Sequence, residues 1–118
     1  MSFKFENLKI WQESLVLADA IDQLALSFPK HELYSLSSQI KRAADSVSLN
    51  IVEGSTGLSN LEFKRFLVIA NRSALEVVGC LFPAKRRNYI TEERFTELYN
   101  QVEILVKMIQ GLIKSLKN

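Results

Sequence analysis

Glycine and proline are scarce: 118 residues hold four of one and two of the other. So little turn material argues against a fold of many short strands and favours a few long helices. One cysteine, Cys80, excludes an intramolecular disulfide and reads as a small packed side chain. One histidine, His31, sits after Pro29-Lys30 in a predicted loop, and one His with one Cys offers no clustered ligand set for a metal. There is no run of 18 apolar residues and no signal-peptide pattern, so a cytoplasmic, reduced, soluble protein is expected. Strong charge is lacking too, since the net value is +2. Residues 1–29 carry two lysines against four carboxylates, and residues 83–118 carry seven Lys/Arg against four glutamates. That mild basic bias is compatible with a polyanionic partner without demanding one.

What is present is apolar periodicity in a single domain spanning residues 1–118, 47% hydrophobic and 24% charged. A first helix is predicted from Asn7, an N-cap type, to Phe28 before Pro29, with a stripe of Trp11, Leu15, Ala18, Ile21 and Ala25. A second runs from about Leu33 to Glu53, burying Leu36, Ile40, Ala43, Val47 and Ile51, with Gly54 as a left-handed C-terminal residue. Ser59 and Glu62 fit a capping box, and Leu58 with Phe63 a hydrophobic staple, at the start of a third helix. Its core stripe is Phe63, Phe66, Leu67, Ala70, Ala74, Val77 and Leu81; Pro83 predicts a kink or a nearby end. Thr91 caps a fourth helix, Ile90 and Phe95 repeat the staple spacing, and Phe95, Leu98, Val102, Leu105, Ile109, Leu112 and Leu116 form its seam. Gly111 inside it suggests close approach by a neighbouring helix. Short loops make sequential helices antiparallel, so the expected fold is all-α: an up-down-up-down four-helix bundle.

Some apolar residues point away from the core. Leu49 and Val52 lie among Lys41, Arg42 and Asp45, while Val68, Leu75 and Phe82 recur every seven residues beside Arg65 and Arg72. Scattered surface hydrophobes are ordinary. Outward apolar residues on two adjacent helices favour a contiguous patch, and such patches mark interfaces. Self-association through the second and third helices is the expectation.

Catalytic patterns are missing. Gly54 and Gly57 lack the Gly-Lys-Ser/Thr and the preceding strand of a phosphate loop. A helical ribonuclease built on an arginine a few residues before a histidine is excluded, because no arginine precedes His31. No enzyme and no cofactor are expected. The remaining chemistry is basic: Lys41-Arg42, Lys64-Arg65 and Arg72 on the two middle helices, and Lys85-Arg86-Arg87 at the third junction. Such side chains supply salt-dependent, largely sequence-independent affinity for phosphates, and repetition in a ring of subunits would multiply it.

The stretches FENLKIWQESL, SFPKHELYSLSSQIKRAADSVSLNIVEG and LEFKRFLVIANRSALEV, with weaker similarity through AKRRNYI to the C-terminal helix, resemble a known family. It is the four-helix-bundle family of 23S rRNA intervening-sequence proteins, related to the accessory variability proteins of diversity-generating retroelements. The resemblance implies a homopentamer, nucleic-acid binding (RNA or DNA), and a protein partner such as a reverse transcriptase. It makes Lys41, Arg42, Lys64, Arg65 and Arg72 candidates for phosphate contact. Asn50 and Glu53 match the family's NI-EG motif and are read as structural, fixing the turn into the third helix. The competing expectation is a scaffold that docks a protein partner on a homo-oligomeric barrel.

Overall fold

The computed structural model describes residues 2–57 and 59–117. Helices α1 (Lys9–Leu26), α2 (Leu36–Gly54), α3 (Asn60–Arg86) and α4 (Glu92–Ser115) make an all-α bundle 44 Å long and 22–23 Å across, with no strand among the described residues. A 27-residue helix rises about 40 Å, so α3 spans the long axis. Contacts between the ends give the direction of each helix. The Asn60 side chain, at the start of α3, donates to the Lys117 carbonyl just past α4 at 2.6 Å. The loop before α2 meets the segment after α3 through Glu32 and Tyr89. Neighbouring helices therefore run antiparallel, and α1 packs on both α2 and α4 to close the bundle.

The predicted α2 stripe is buried as expected: Leu36, Ile40, Ala43, Val47 and Ile51. So are Phe63, Leu67, Ala70, Ala74, Val77 and Leu81 of α3, with Phe66 half-buried, and Phe95, Leu98, Val102, Leu105 and Ile109 of α4. Leu112 and Leu116 are half-buried at the end of the bundle. Cys80 is buried and its thiol is pushed up, first by desolvation and then by the charge of Glu76. α3 is long and apolar enough by composition to cross a membrane, with mean hydropathy 1.4 over its best window. Its apolar stripe instead lines the bundle core.

Five expectations about the helices are corrected. Helix α1 begins at Lys9, because Asn7 closes a separate 3-10 turn, Lys4–Asn7. Its buried face is Ile10, Ser14, Leu17, Ile21, Leu24 and Ala25, whereas Leu15 is exposed and Trp11 and Ala18 are half-buried. The run from Leu15 to Leu17 is apolar throughout, so composition does not single out one face. Ser14 is tolerated inside because its hydroxyl donates to the Trp11 carbonyl at 2.6 Å. Helix α2 starts at Leu36 rather than Leu33, since a second 3-10 turn, Lys30–Glu32, uses the preceding residues.

Gly54 is helical, not left-handed; the positive φ belongs to Gly57, at 89°. What Gly54 provides is proximity. A Cβ there would lie 2.7 Å from the Phe66 Cβ and 2.9 Å from Phe63 Cδ1, so α2 and α3 meet closely where α2 ends. Gly111 has no such neighbour: it is exposed, with nothing within 4 Å of a Cβ, so the expected close approach is not made within the chain.

Of the helix starts, Ser59 accepts the Glu62 amide at 3.0 Å and Thr91 accepts the Arg94 amide at 3.1 Å. The Leu58 half of the proposed staple lies outside the described residues; Ile90 and Phe95 are both buried. Helix α3 ends at Arg86, one turn past Pro83. Its stop is a Schellman motif: Tyr89 N donates to Ala84 O at 2.8 Å and Asn88 N to Lys85 O at 3.0 Å, with Asn88 at φ 62°.

A candidate nucleic-acid interface

One end of the bundle is tied by a buried carboxylate. Glu32 accepts from Ser35 Oγ at 2.7 Å, from Tyr89 Oη at 2.8 Å and from Arg87 Nη1 at 3.1 Å. Those hydroxyl bonds, Ser35's first, hold its carboxyl below the usual value of 4.5; the bond to Glu32 pushes the Tyr89 phenol up. His31 Nε2 lies 3.1 Å from the Tyr89 hydroxyl, so the lone histidine borders this network while remaining exposed. Nothing in the sequence connects Glu32 to residues 55 and 57 positions away.

The cations of the 85–87 segment have separate duties. Lys85 pairs with Glu92 at 3.2 Å and lies 4.4 Å from the centre of the Phe95 ring, and Arg87 is committed to Glu32. Arg86 is exposed and has no acidic partner among the described residues. Lys41 pairs with Asp22 of α1 at 3.1 Å, and Lys64 is half-buried. Arg42, Arg65 and Arg72 are exposed and, among the described residues, unpaired.

On α3 the outward residues form two rows. Leu61, Val68, Leu75 and Phe82, all exposed, recur every seven residues. Arg65, Arg72, Gly79 and Arg86 each follow one of them by four, so they stand about 40° further round. Ser73 bonds Ser46 of α2 at 2.8 Å and Gln39 reaches Glu76 at 3.4 Å, which fixes the α2 side of α3. The arginine row leans that way. The apolar row leans to α4: Leu75 borders a groove with Tyr99 and Val106, and Phe82 meets the Phe95 and Tyr99 rings at 5.1 and 6.4 Å.

On α2, Leu49 is 60% exposed, as expected, but Val52 is only half-buried surface: it follows the fully enclosed Ile51 by one position and lies on the shoulder of the core. Asn50 donates to the Ser46 carbonyl at 2.8 Å and to its hydroxyl at 3.0 Å, extending the Ser46–Ser73 link between α2 and α3. The Glu53 side chain is exposed and unpaired among the described residues, and Glu53 joins the following turn only through its carbonyl, which accepts the Thr56 amide at 3.3 Å. Ser55 fixes that turn, through its amide to Ile51 O at 3.1 Å and its hydroxyl to Val52 O at 2.8 Å.

Helical periodicity did not single out Tyr34, which lies within the stretch SFPKHELYSLSSQIKRAADSVSLNIVEG that carries the family resemblance. It lines two grooves, one of about 530 Å³ between α2 and α3, the other of about 550 Å³ beside the α1–α2 loop. Arg42 lines both as well. Among the described residues no group of three or more His, Cys, Asp or Glu side chains is placed to hold a metal ion.

Four solved chains match this fold. One is a protein of unknown function from the S23 ribosomal protein family of Bacteroides thetaiotaomicron VPI-5482. It is 28% identical, has a TM-score of 0.83, and the match covers 89% of this chain and 98% of that one. No curated protein matches. Residues 6–111, nearly the whole bundle, match the family described as 23S rRNA-intervening sequence protein, and the chain belongs to that family.

Proposed function

We propose that this protein is a non-catalytic, homo-oligomeric nucleic-acid-binding protein whose α2–α3 face contacts phosphates. The observation that carries the reading is the set of exposed arginines without acidic partners among the described residues: Arg42, Arg65, Arg72 and Arg86. An arginine left unpaired by its own chain presents a donor fork that matches phosphate oxygens. The family description, which names the 23S rRNA intervening sequence, adds support for RNA. The apolar row of α3 supports self-association, and it leans toward α4 while the arginine row leans toward α2. The number five for the assembly comes from the family resemblance, as does the link to retroelement accessory proteins; a cytoplasmic site of action is inferred from the single cysteine and the lack of a signal-peptide pattern. A net charge of +2 per chain is small, and repetition around a ring is what would give it effect.

The test is binding of structured RNA and of duplex DNA across a salt series, on protein whose mass is checked by light scattering. Wild type should bind with a steep negative slope of log K against log salt, and Arg65→Glu with Arg72→Glu should abolish most of it. Salt-independent binding, or none at low salt, overturns the reading. A second reading, a scaffold for a protein such as a reverse transcriptase, is favoured by the apolar groove of Leu75, Tyr99 and Val106. A defined protein partner recovered after nuclease treatment would select it.

A further inference from the structure

Tyr34 is 92% exposed, the most open large apolar or aromatic side chain among the described residues. Its hydroxyl has no partner among the described residues. It does not sit on a loose loop. Just before it, Leu33 N donates to Lys30 O at 3.0 Å; just after it, Ser35 N donates to Glu32 O at 2.9 Å and Ser35 Oγ to the Glu32 carboxylate at 2.7 Å. Glu32 is in turn held by Tyr89 and Arg87. The turn is fixed on both sides, and the ring is presented to solvent by a rigid frame.

Around that ring the charges divide. Arg42 borders the same two grooves and Lys30 borders the second; both are exposed, and neither has an acidic partner among the described residues. Lys41 faces the second groove but is occupied by Asp22 at 3.1 Å. Glu76 and Asp45 stand in the groove walls, one in each. An open aromatic face beside unpaired cations suits a nucleotide: the base supplies the π-face, the phosphates meet the cations, and a carboxylate in the wall accepts from a base amino group. Grooves of 530–550 Å³ fall within the ~300–1,000 Å³ of ligand sites. In a continuous duplex the base faces are covered by stacking, so such a platform engages only unpaired residues.

We propose that Tyr34 is a stacking platform for an unpaired nucleobase, with Arg42 and Lys30 receiving the adjoining phosphates. The protein then recognises loops, bulges or single-stranded ends in preference to uninterrupted duplex. This rests on the nucleic-acid reading above and specifies its substrate.

The experiment compares wild type with Tyr34→Ala, Tyr34→Phe and Arg42→Gln, using an unstructured oligouridine and a blunt RNA duplex of equal length. The expected result is tighter binding of the single strand by wild type. Tyr34→Ala loses about 5–150-fold on the single strand, with duplex binding and salt slope unchanged. Tyr34→Phe keeps the affinity, and Arg42→Gln flattens the single-strand slope by about 0.7. If wild type binds both probes and Tyr34→Ala alters neither, or both equally, the platform is overturned and the phosphate reading stands. Binding of neither probe removes both. A change in mass on light scattering for Tyr34→Ala also overturns the platform, since it would place Tyr34 at a contact between copies.

Discussion

Tyr89 donates its hydroxyl to Glu32 at 2.8 Å, and together with the Arg87 bond to the same carboxylate it closes the α1–α2 loop onto the end of α3 across 57 residues of chain. Asn88 makes it possible. Its left-handed backbone turns the chain back directly after α3 and delivers Tyr89 to the carboxylate.

Because its bonded carboxylate is held below 4.5, Glu32 contributes stability that is fully present above the ordinary value and is lost as pH falls through the lowered one. Glu32→Gln and Tyr89→Phe should each lower Tm at neutral pH. The gap to wild type should narrow in acid, below about pH 4.5. Thermal melts from pH 7 to pH 3 check this; a gap constant with pH would show that Glu32 acts by packing alone.

Asn88→Val should cost about 1–2 kcal/mol, because a branched side chain is disfavoured at φ 62°, whereas Asn88→Gly should be neutral or slightly stabilising. Urea unfolding of the two variants gives the comparison. Equal stabilities would mean that the Schellman turn rearranges.

Two of the helical glycines, Gly54 and Gly111, have opposite surroundings and predict opposite outcomes. Gly54→Ala forces a methyl to within 2.7 Å of Phe66 and should destabilise by about 1–3 kcal/mol. Gly111→Ala meets nothing within 4 Å and should stabilise by up to about 1 kcal/mol. Chemical denaturation at matched protein concentration measures both. A loss at Gly111 would reveal a neighbour contributed by another copy.

Leu75 tests the apolar row. Leu75→Glu places a charge in the middle of Leu61, Val68, Leu75 and Phe82 and should reduce the solution mass to that of one chain, 13.5 kDa. Circular dichroism should stay helical, since Leu75 is 60% exposed within the chain. A wild-type mass of one chain by light scattering would overturn self-association, and a larger mass unchanged by Leu75→Glu would move the contact elsewhere.

The helices, their order and most of the core were legible because helical burial has a short period: Ile40, Ala43, Val47 and Ile51 declare a face within three turns. The caps at Ser59 and Thr91 were legible for the same reason, as each involves partners three residues apart. Where neighbouring residues are all apolar, as from Leu15 to Leu17, the pattern no longer names the face, and packing against α2 and α4 chose it. The outward positions of Leu49, Val68, Leu75 and Phe82 followed from the same periodicity, because they are what the core leaves over.

The candidate site divides along that line. Residue type and helical spacing by themselves placed Arg42, Arg65 and Arg72 on outward faces. Only the tertiary structure decided which cations were already taken. Lys41 met Asp22 on another helix, Lys85 met Glu92 across the junction, and Arg87 met Glu32 from the far end of the chain. It also decided that Tyr34 would stand in solvent on a braced turn. Ion pairs and loop anchors depend on distances between segments remote in sequence, and those distances exist only once the bundle has closed.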